Sequence, residues 1–430
     1  MSAFTRLLRT NRNYRFTWSG QVVSEVGDHF NNIAVMGLAM DHPHPGLVVT
    51  GVFLSRAVPM LIAGPVAGVL LDRMNRKRVM IASDVVRAAI ALGFILCLTY
   101  KQDWVLFVLS AMLMFASPFF TSGRASILPS IATPEELHVA NTMTQTTSWA
   151  SLTIGAFLGA VGVKYGYRNA FAFNALSFAI SALCISQLRR AQGFRAVGAE
   201  RTERQTGLVQ YREGLSYMRA TPLVAGIALI SVGWASGGGA AQILFSLFGE
   251  KVFNAGPMGI GIIWGSAGVG LLIGGSVGYW LGKRITFVQY KRTIAIVYLL
   301  HGGAYVLFSQ MPTIAWACVF IGLSRAAVAV SSVLNFSQLL RHVEDRYRGR
   351  VFATLESLTW STMMLSMMAA GAATTAFSPR VIGAWAGGIS STTAIFWTWA
   401  NWSGRLPEPP RQAVTEDEEE EVKSEPPVEA

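Results

Sequence analysis

Apolar stretches of membrane-crossing length recur along almost the whole chain, and nothing constrains its fold more. A membrane helix needs about 20 mostly apolar residues to cross roughly 30 Å of hydrocarbon. Twelve segments meet that need: Arg15 to Met40, Leu47 to Leu71, Val79 to Tyr100, Trp104 to Ser122, His138 to Val163 and Ala170 to Leu188, then Leu223 to Phe248, Gly256 to Leu281, Thr293 to Gln310, Thr313 to Phe336, Arg350 to Phe377 and Arg380 to Trp402. The expected fold is therefore an all-α integral membrane protein with twelve transmembrane helices. Hydrophobic residues make up 52% of the chain and charged ones only 14%, against about 25% charged in soluble domains. The 42 glycines and 12 tryptophans suit close helix packing and interfacial anchoring. Cys97, Cys184 and Cys318 lie inside apolar runs and read as small core residues, not as a disulfide framework.

The net charge of +11 is spread in short basic clusters between apolar segments, which argues against a nucleic-acid partner. No Gly-x-x-x-x-Gly-Lys-Ser/Thr run is present, so no ATP-hydrolysing P-loop module is expected. Metal-ligand spacing of His or Cys is likewise missing, and no nucleophile, base and orienter recur as an enzyme would need. The expected driving force is an ion or substrate gradient, with no cofactor and no metal. An even number of spans puts both termini on one side. On the other side fall only Lys101, Lys164, Arg168, Lys251 and Arg380, while Arg56, Arg87 and Arg325 lie within spans and the remaining Lys and Arg share the side of the termini. That asymmetry makes the termini cytoplasmic. The first segment is no cleaved signal peptide, since Gln21, Glu25, Asp28 and Asn32 interrupt it.

The loops are short apart from Arg189 to Thr221, which divides the spans six and six. The expected organisation is an N-terminal half over residues 1–188, a cytoplasmic linker over 189–221, a C-terminal half over 222–402 and an acidic, Pro-flanked disordered tail over 403–430. In the linker, Leu208, Tyr211, Leu215 and Met218 recur at helical spacing, as an interfacial helix would place them. Basic loops follow both the second and the eighth span, and Arg124 and Arg325 fall in or near the fourth and tenth. Such repeated halves are typical of secondary transporters, whose substrates bind near the midplane between them.

Ionisable groups at membrane depth are costly and are functional candidates by default. Gln21, Glu25, Asp28 and Asn32 recur at spacings that put them on one face of the first helix, so that face lines a cavity or a protein interface. Depth counting along the first two spans pairs Asp28 with Arg56. On this reading Glu25 is the proton-coupling carboxylate and Asp28 is held ionised by Arg56; the reverse assignment of the two acids stays open. Arg325 is either a counter-charge for substrate or a donor to backbone carbonyls. Glu356 is expected to pair with Arg350 or Arg325, and Asp84 with Arg87 as a local interfacial pair. Gly155 and Gly159, and the glycines from Gly265 to Gly274, allow close helix approach.

The loop after the second span reads Gly68-Val-Leu-Leu-Asp72-Arg73-Met-Asn75-Arg76-Lys77-Arg78. It resembles the signature of the major facilitator superfamily, Gly-x-Leu-x-Asp-Arg-x-Gly-Arg-Arg/Lys-x, with Asn75 in place of the second glycine. Asn tolerates a left-handed backbone, so the turn is expected to survive. Asn11-Arg-Asn-Tyr-Arg-Phe, Gly27-Asp28, Arg56-Ala-Val-Pro59, Leu128-Pro129, Pro134-Glu-Glu-Leu and Arg348-Gly-Arg-Val351 are similar to the branch of enterobactin-type siderophore exporters and macrolide efflux proteins. Gly282 stands where an acidic residue would complete the second-half copy of the signature. The resemblance implies the major facilitator fold and a gating role for Gly68, Asp72, Arg73, Arg76 and Arg78. It also implies a monomeric proton antiporter in the bacterial inner membrane that exports a bulky amphipathic small molecule, such as a siderophore or a macrolide. A lipid or lysophospholipid transporter without proton coupling is the alternative, and a non-transporting membrane sensor of the same fold a more remote one.

Overall fold

The computed structural model describes residues 3–100, 102–189 and 207–408. The described residues form helices joined by short turns. A short α1 (Ala3–Thr10) leads into α2 (Arg12–Met40), α3 (Pro45–Arg73), α4 (Arg76–Gly93) with its continuation α5 (Leu96–Tyr100), α6 (Asp103–Ile131), α7 (Pro134–Gly162) and α8 (Tyr167–Ser186). After α9 (Gly207–Ala220) come α10 (Pro222–Leu247), α11 (Gly256–Gly282), α12 (Phe287–Gln310), α13 (Ile314–His342), α14 (Asp345–Ala373) and α15 (Pro379–Trp402). Thr133 and Thr286 start α7 and α12 with reciprocal capping boxes to Glu136 and Gln289.

Among the described residues nine helical segments are long and apolar enough to cross a membrane. Three more, α2, α14 and α15, are of comparable length. The polar stripe of α2, the charged start of α14 and the Ser, Thr and Gly content of α15 keep them less hydropathic. They pack into the same bundle, so the long helices match the twelve expected segments. The outward faces are apolar: Leu183, Ile296 and Ile395 are 64%, 64% and 65% exposed, which only a lipid surround makes favourable. Lys283 on Tyr279, Arg284 on Trp280 and Arg405 on Trp399, at 4.2 to 4.4 Å from the rings, mark a cationic and aromatic belt.

Polar ties fix which helix ends lie together. Asn11 at the start of α2 donates to the Ile131 carbonyl at the end of α6, and Lys77 near the start of α4 donates to Ser186 and Leu188 at the end of α8. Lys291 at the start of α12 reaches the Leu406 carbonyl past the end of α15. Across the bundle, Gly46 at the start of α3 abuts Thr374 just past α14, and Gly37 near the end of α2 abuts Pro257 in α11. The start of α2 and the end of α15 therefore lie at one end of the bundle, here the terminal end.

Packing differs between the two ends. One apolar cluster draws on both sets of six helices, joining Ile33, Met36 and Val49 to Ile243, Phe248, Met363 and Met367. These residues lie toward the far end. Toward the terminal end the clusters are separate, each confined to one set. One contains Leu7, Tyr14, Met80 and Leu128, a small one Ala67, Leu71 and Val79, and one in the second set Leu223, Tyr290, Leu339 and Trp397. The sets are thus fused at the far end and keep their own cores at the terminal end.

Glycines permit the closest approaches. A Cβ at Gly155 would overlap the Val26 carbonyl of α2, and at Gly270 or Gly274 the carbonyls of Gly322 or Ala326 on α13. The expected close packing of these glycines is observed. Gly261, Gly265 and Gly268 turn the same α11 toward Ala156, Phe157 and Thr153 of α7, so one helix seams its own set to the other.

Two expectations need correction. Asn75 is not left-handed: at φ −67° and ψ 113° it caps α4 by accepting from the Arg78 amide. A side-chain cap that satisfies an orphan amide does the work a glycine turn was expected to do. The linker helix α9 docks on protein: Met218 is buried among C-terminal residues, Gly214 packs on Thr354 and the Arg350 carbonyl, and Glu213 pairs with Arg350 at 2.5 Å. The rest of the linker, residues 190–206, the Leu208 side chain and the tail beyond Glu408 lie outside the described residues.

Candidate functional site

The polar stripe on α2 meets four different helices in turn. Gln21, buried, donates from Nε2 to Glu25 Oε1 at 2.9 Å and to the Thr144 carbonyl of α7 at 3.3 Å. Glu25 Oε1 also accepts from Ser148 of α7 at 3.2 Å and lies 3.8 Å from Arg124 of α6. Sequence reading put Arg124 beyond the fourth span, but α6 continues through Pro129 to Ile131, and this carries Arg124 into the bundle. A small cavity of about 60 Å³ beside it is lined by Tyr14, Trp18, Gln21, Arg124, Asn141 and Thr144 among others, room for a water or two.

One turn further, Asp28 lies 3.6 Å from Arg87 of α4. Arg87 is only 2% exposed and sits between the rings of Phe120 and Phe178, at 4.8 and 4.3 Å. Its NH2 group holds Asp84, which is fully buried. The side chain of Asp28 is 33% exposed. One guanidinium thus bridges two carboxylates, tightly to the enclosed one and loosely to the accessible one.

The expected Asp28–Arg56 pair does not form. Arg56 instead donates from NH1 to Asn32 Oδ1 at 2.7 Å, one turn farther along α2, and lies over Phe53. Depth counting compares chain neighbours only, whereas α4, which packs on α6 and α8, sends the long Arg87 side chain across to Asp28. Asp84 and Arg87 do pair, but in the core and not at the interface. The four stripe residues are brought to one region, with Arg124 and Arg87 added; Ser148 and Asp84 are the polar partners that sequence reading did not place there.

The other candidates stand apart. Arg325 is 7% exposed on α13, with Cζ 5.1 Å from the centre of the Phe245 ring. Glu356 is exposed on α14 and meets neither expected partner, because Arg350 is turned to Glu213 and Arg325 to Phe245. In the signature loop, Gly68 is half-buried with open space around it, and Asp72, Arg73 and Arg78 are exposed. Arg76 donates to the Ser126 carbonyl at 2.8 Å, so with Lys77 it ties the loop to the ends of α6 and α8.

Comparison with known proteins agrees with this architecture. Residues 18–342 match the family model of the Major Facilitator Superfamily. The chain is 26% identical to the uncharacterized MFS-type transporter YfiS of Bacillus subtilis, covering 85% of this chain and 87% of that protein. It is 25% identical to the putative bacilysin exporter BacE of Bacillus subtilis, over 80% and 84% of the two chains. With macrolide efflux protein A of Streptococcus pyogenes it shares 23% identity over 81% and 85%. Among solved structures, a mutant of the nucleoside transporter NupG superposes with a TM-score of 0.70 at 10% identity, covering 89% of this chain and 99% of that one. A bundle with an apolar exterior, paired charges along the middle of α2 and a family match over most of its length lead to one assignment: the chain belongs to the Major Facilitator Superfamily and is a multi-pass membrane transporter.

Proposed function

We propose that this transporter is a proton-coupled exporter of bulky amphipathic small molecules, with Asp28 as the carboxylate that carries the proton. The observation that carries the reading is the sharing of Arg87 between Asp84 and Asp28. Two carboxylates and one guanidinium leave one excess negative charge, and a proton on the accessible member neutralises it. Buried charge of one sign is costly, so loading and unloading of that proton biases the two access states differently. Glu25, matched one to one with Arg124 and hydrogen-bonded by Gln21 and Ser148, is the positioning group. That exchanges the roles first given to the two acids.

With both termini cytoplasmic, the terminal end faces the cytoplasm, and the described state is closed outside and unfused inside, ready to load an exported compound. The two six-helix halves, residues 1–188 and 222–402, rock about the α7–α11 seam. The signature loop with Asp72 and Arg73 latches the cytoplasmic end when it closes. The protein works as a monomer and needs no cofactor beyond the proton gradient. Similarity to proteins named as exporters of bacilysin and macrolides supports export and a bulky cargo.

The test is accumulation of hydrophobic dyes, macrolides and siderophores in energised cells carrying wild type, Asp28→Asn or Glu25→Gln, with and without an uncoupler. Wild type should lower accumulation of some compounds, and both Asp28→Asn and the uncoupler should abolish the effect. Uncoupler-sensitive export by Asp28→Asn would refute the assignment. No export of any compound would turn attention to a lipid cargo.

A further inference from the structure

Four arginines lie at membrane depth, and three have an acceptor: Arg56 has Asn32, Arg87 has Asp84 and Asp28, and Arg124 has Glu25. Arg325 differs. Among the described residues its guanidinium makes no hydrogen bond and no ion pair, and the Tyr305 phenol lies near it. Its surroundings are aromatic. Phe245 of α10, under the guanidinium, packs edge-on against Trp264 of α11 at 5.1 Å and against Phe308 of α12 at 5.8 Å. Tyr305, one turn before Phe308, packs on that ring at 5.6 Å. Ser324, next to Arg325, is fully buried and engages His301 Nδ1 at 2.7 Å.

Two further polar groups here are orphaned. The Tyr305 hydroxyl and the Trp264 indole nitrogen are buried with no partner. Arginine and tryptophan can only donate, and an uncompensated buried cation is strongly unfavourable. Two donor-only groups beside a phenol that can also donate, walled by aromatic rings, have a definite complement: an oxyanion attached to an apolar body.

We propose that Arg325, with Tyr305 and Trp264, is the anchor for an anionic oxygen group, a carboxylate or a phosphate, carried by the amphipathic substrate. The inference rests on the transport reading and names the chemistry of its cargo. It assigns the two halves different tasks: proton handling by Asp28 and Arg87 in the first, substrate anchoring by Arg325 in the second.

The test uses the full chain in lipid nanodiscs. Binding is read from thermal unfolding with two pairs of probes: fusidic acid against its methyl ester, and dodecyl phosphate against dodecanol. The acid should bind wild type at least about tenfold more tightly than its neutral partner, as a charge-assisted hydrogen bond implies. Stabilisation by fusidic acid alone assigns the cargo a carboxylate, and by dodecyl phosphate alone a lipid-like phosphate. Arg325→Met should weaken acid binding about tenfold or more, leave the neutral partner within about twofold, and melt at or above wild type when unliganded, because it removes an unsatisfied buried charge. Arg325→Lys should fall between. Equal binding of acid and neutral partner, or acid binding untouched by Arg325→Met, overturns the proposal. If no probe binds, the unliganded melt decides: a lower melting temperature for Arg325→Met means a structural arginine and overturns it, and an equal or higher one upholds it. Export that fails in cells while acid binding at Arg325 persists would refute the exporter reading and leave this site standing.

Discussion

Replacing Arg87 by methionine takes away the guanidinium that holds Asp84. Asp84 is fully buried, its partner is 2% exposed, and Phe120 and Phe178 close over that partner, so water cannot take the guanidinium's place. Breaking a buried pair on one side costs about 3–5 kcal/mol, while removing both members is often close to neutral. Arg87→Met should therefore lose about 3–5 kcal/mol of unfolding free energy. The double change Arg87→Met with Asp84→Asn should recover at least about 2 kcal/mol of it, the non-additivity expected of residues in contact. Asp28→Asn, which removes only the partly exposed partner at 3.6 Å, should cost about 1 kcal/mol or less. The assay is denaturant unfolding in mixed micelles followed by tryptophan fluorescence. If Arg87→Met and Asp28→Asn destabilise equally, or if the double change is additive, Arg87 does not divide its charge unequally and the argument for Asp28 fails.

Other expectations follow from the same geometry. Glu25→Gln should lower the transport rate several-fold yet keep its sensitivity to an uncoupler, read in the same dye assay. Cysteines at Gly46 and Thr374, in a chain freed of Cys97, Cys184 and Cys318, should cross-link, since a Cβ at Gly46 would lie 2.8 Å from that of Thr374 and a separation of about 1 Å brings the pair to disulfide geometry; the oxidised protein should stop transporting and recover on reduction. Gly274→Leu would drive a side chain into the Ala326 carbonyl and should cost more than the usual 1–3 kcal/mol of overpacking, seen as loss of folded protein on size exclusion. Glu213→Gln, which breaks a partly exposed pair with Arg350, should change stability by less than about 1 kcal/mol.

Much of this was legible in the residues, and the exceptions share a cause. Helix length and hydropathy act within a segment, so the long helices, their glycine contacts and the inward polar stripe of α2 could be read directly. The partners of that stripe depend on lateral packing, which spacing along one helix does not encode. Arg56 and Asp28 match in depth, but the reach of Arg87 from a helix that is not a chain neighbour decides the pair. Apolar content fades after Ser122, which puts Arg124 outside its span by composition, although the helix runs on to Ile131. Arg325 stands out as a charge at membrane depth; that nothing accepts from it emerges only once three helices are placed around its own.

Proton coupling through Asp28 is the central claim, and proton flux in liposomes tests it most directly. Wild type, Asp28→Asn and Glu25→Gln would be reconstituted with a pH-sensitive dye inside and a compound that the export assay identifies. Wild type and Glu25→Gln should accumulate or expel that compound down an imposed pH gradient, with matching proton movement. Asp28→Asn should still exchange labelled for unlabelled compound but show neither gradient-driven transport nor proton flux. Gradient-driven transport by Asp28→Asn at the wild-type rate, with protons moving alongside, would contradict the account.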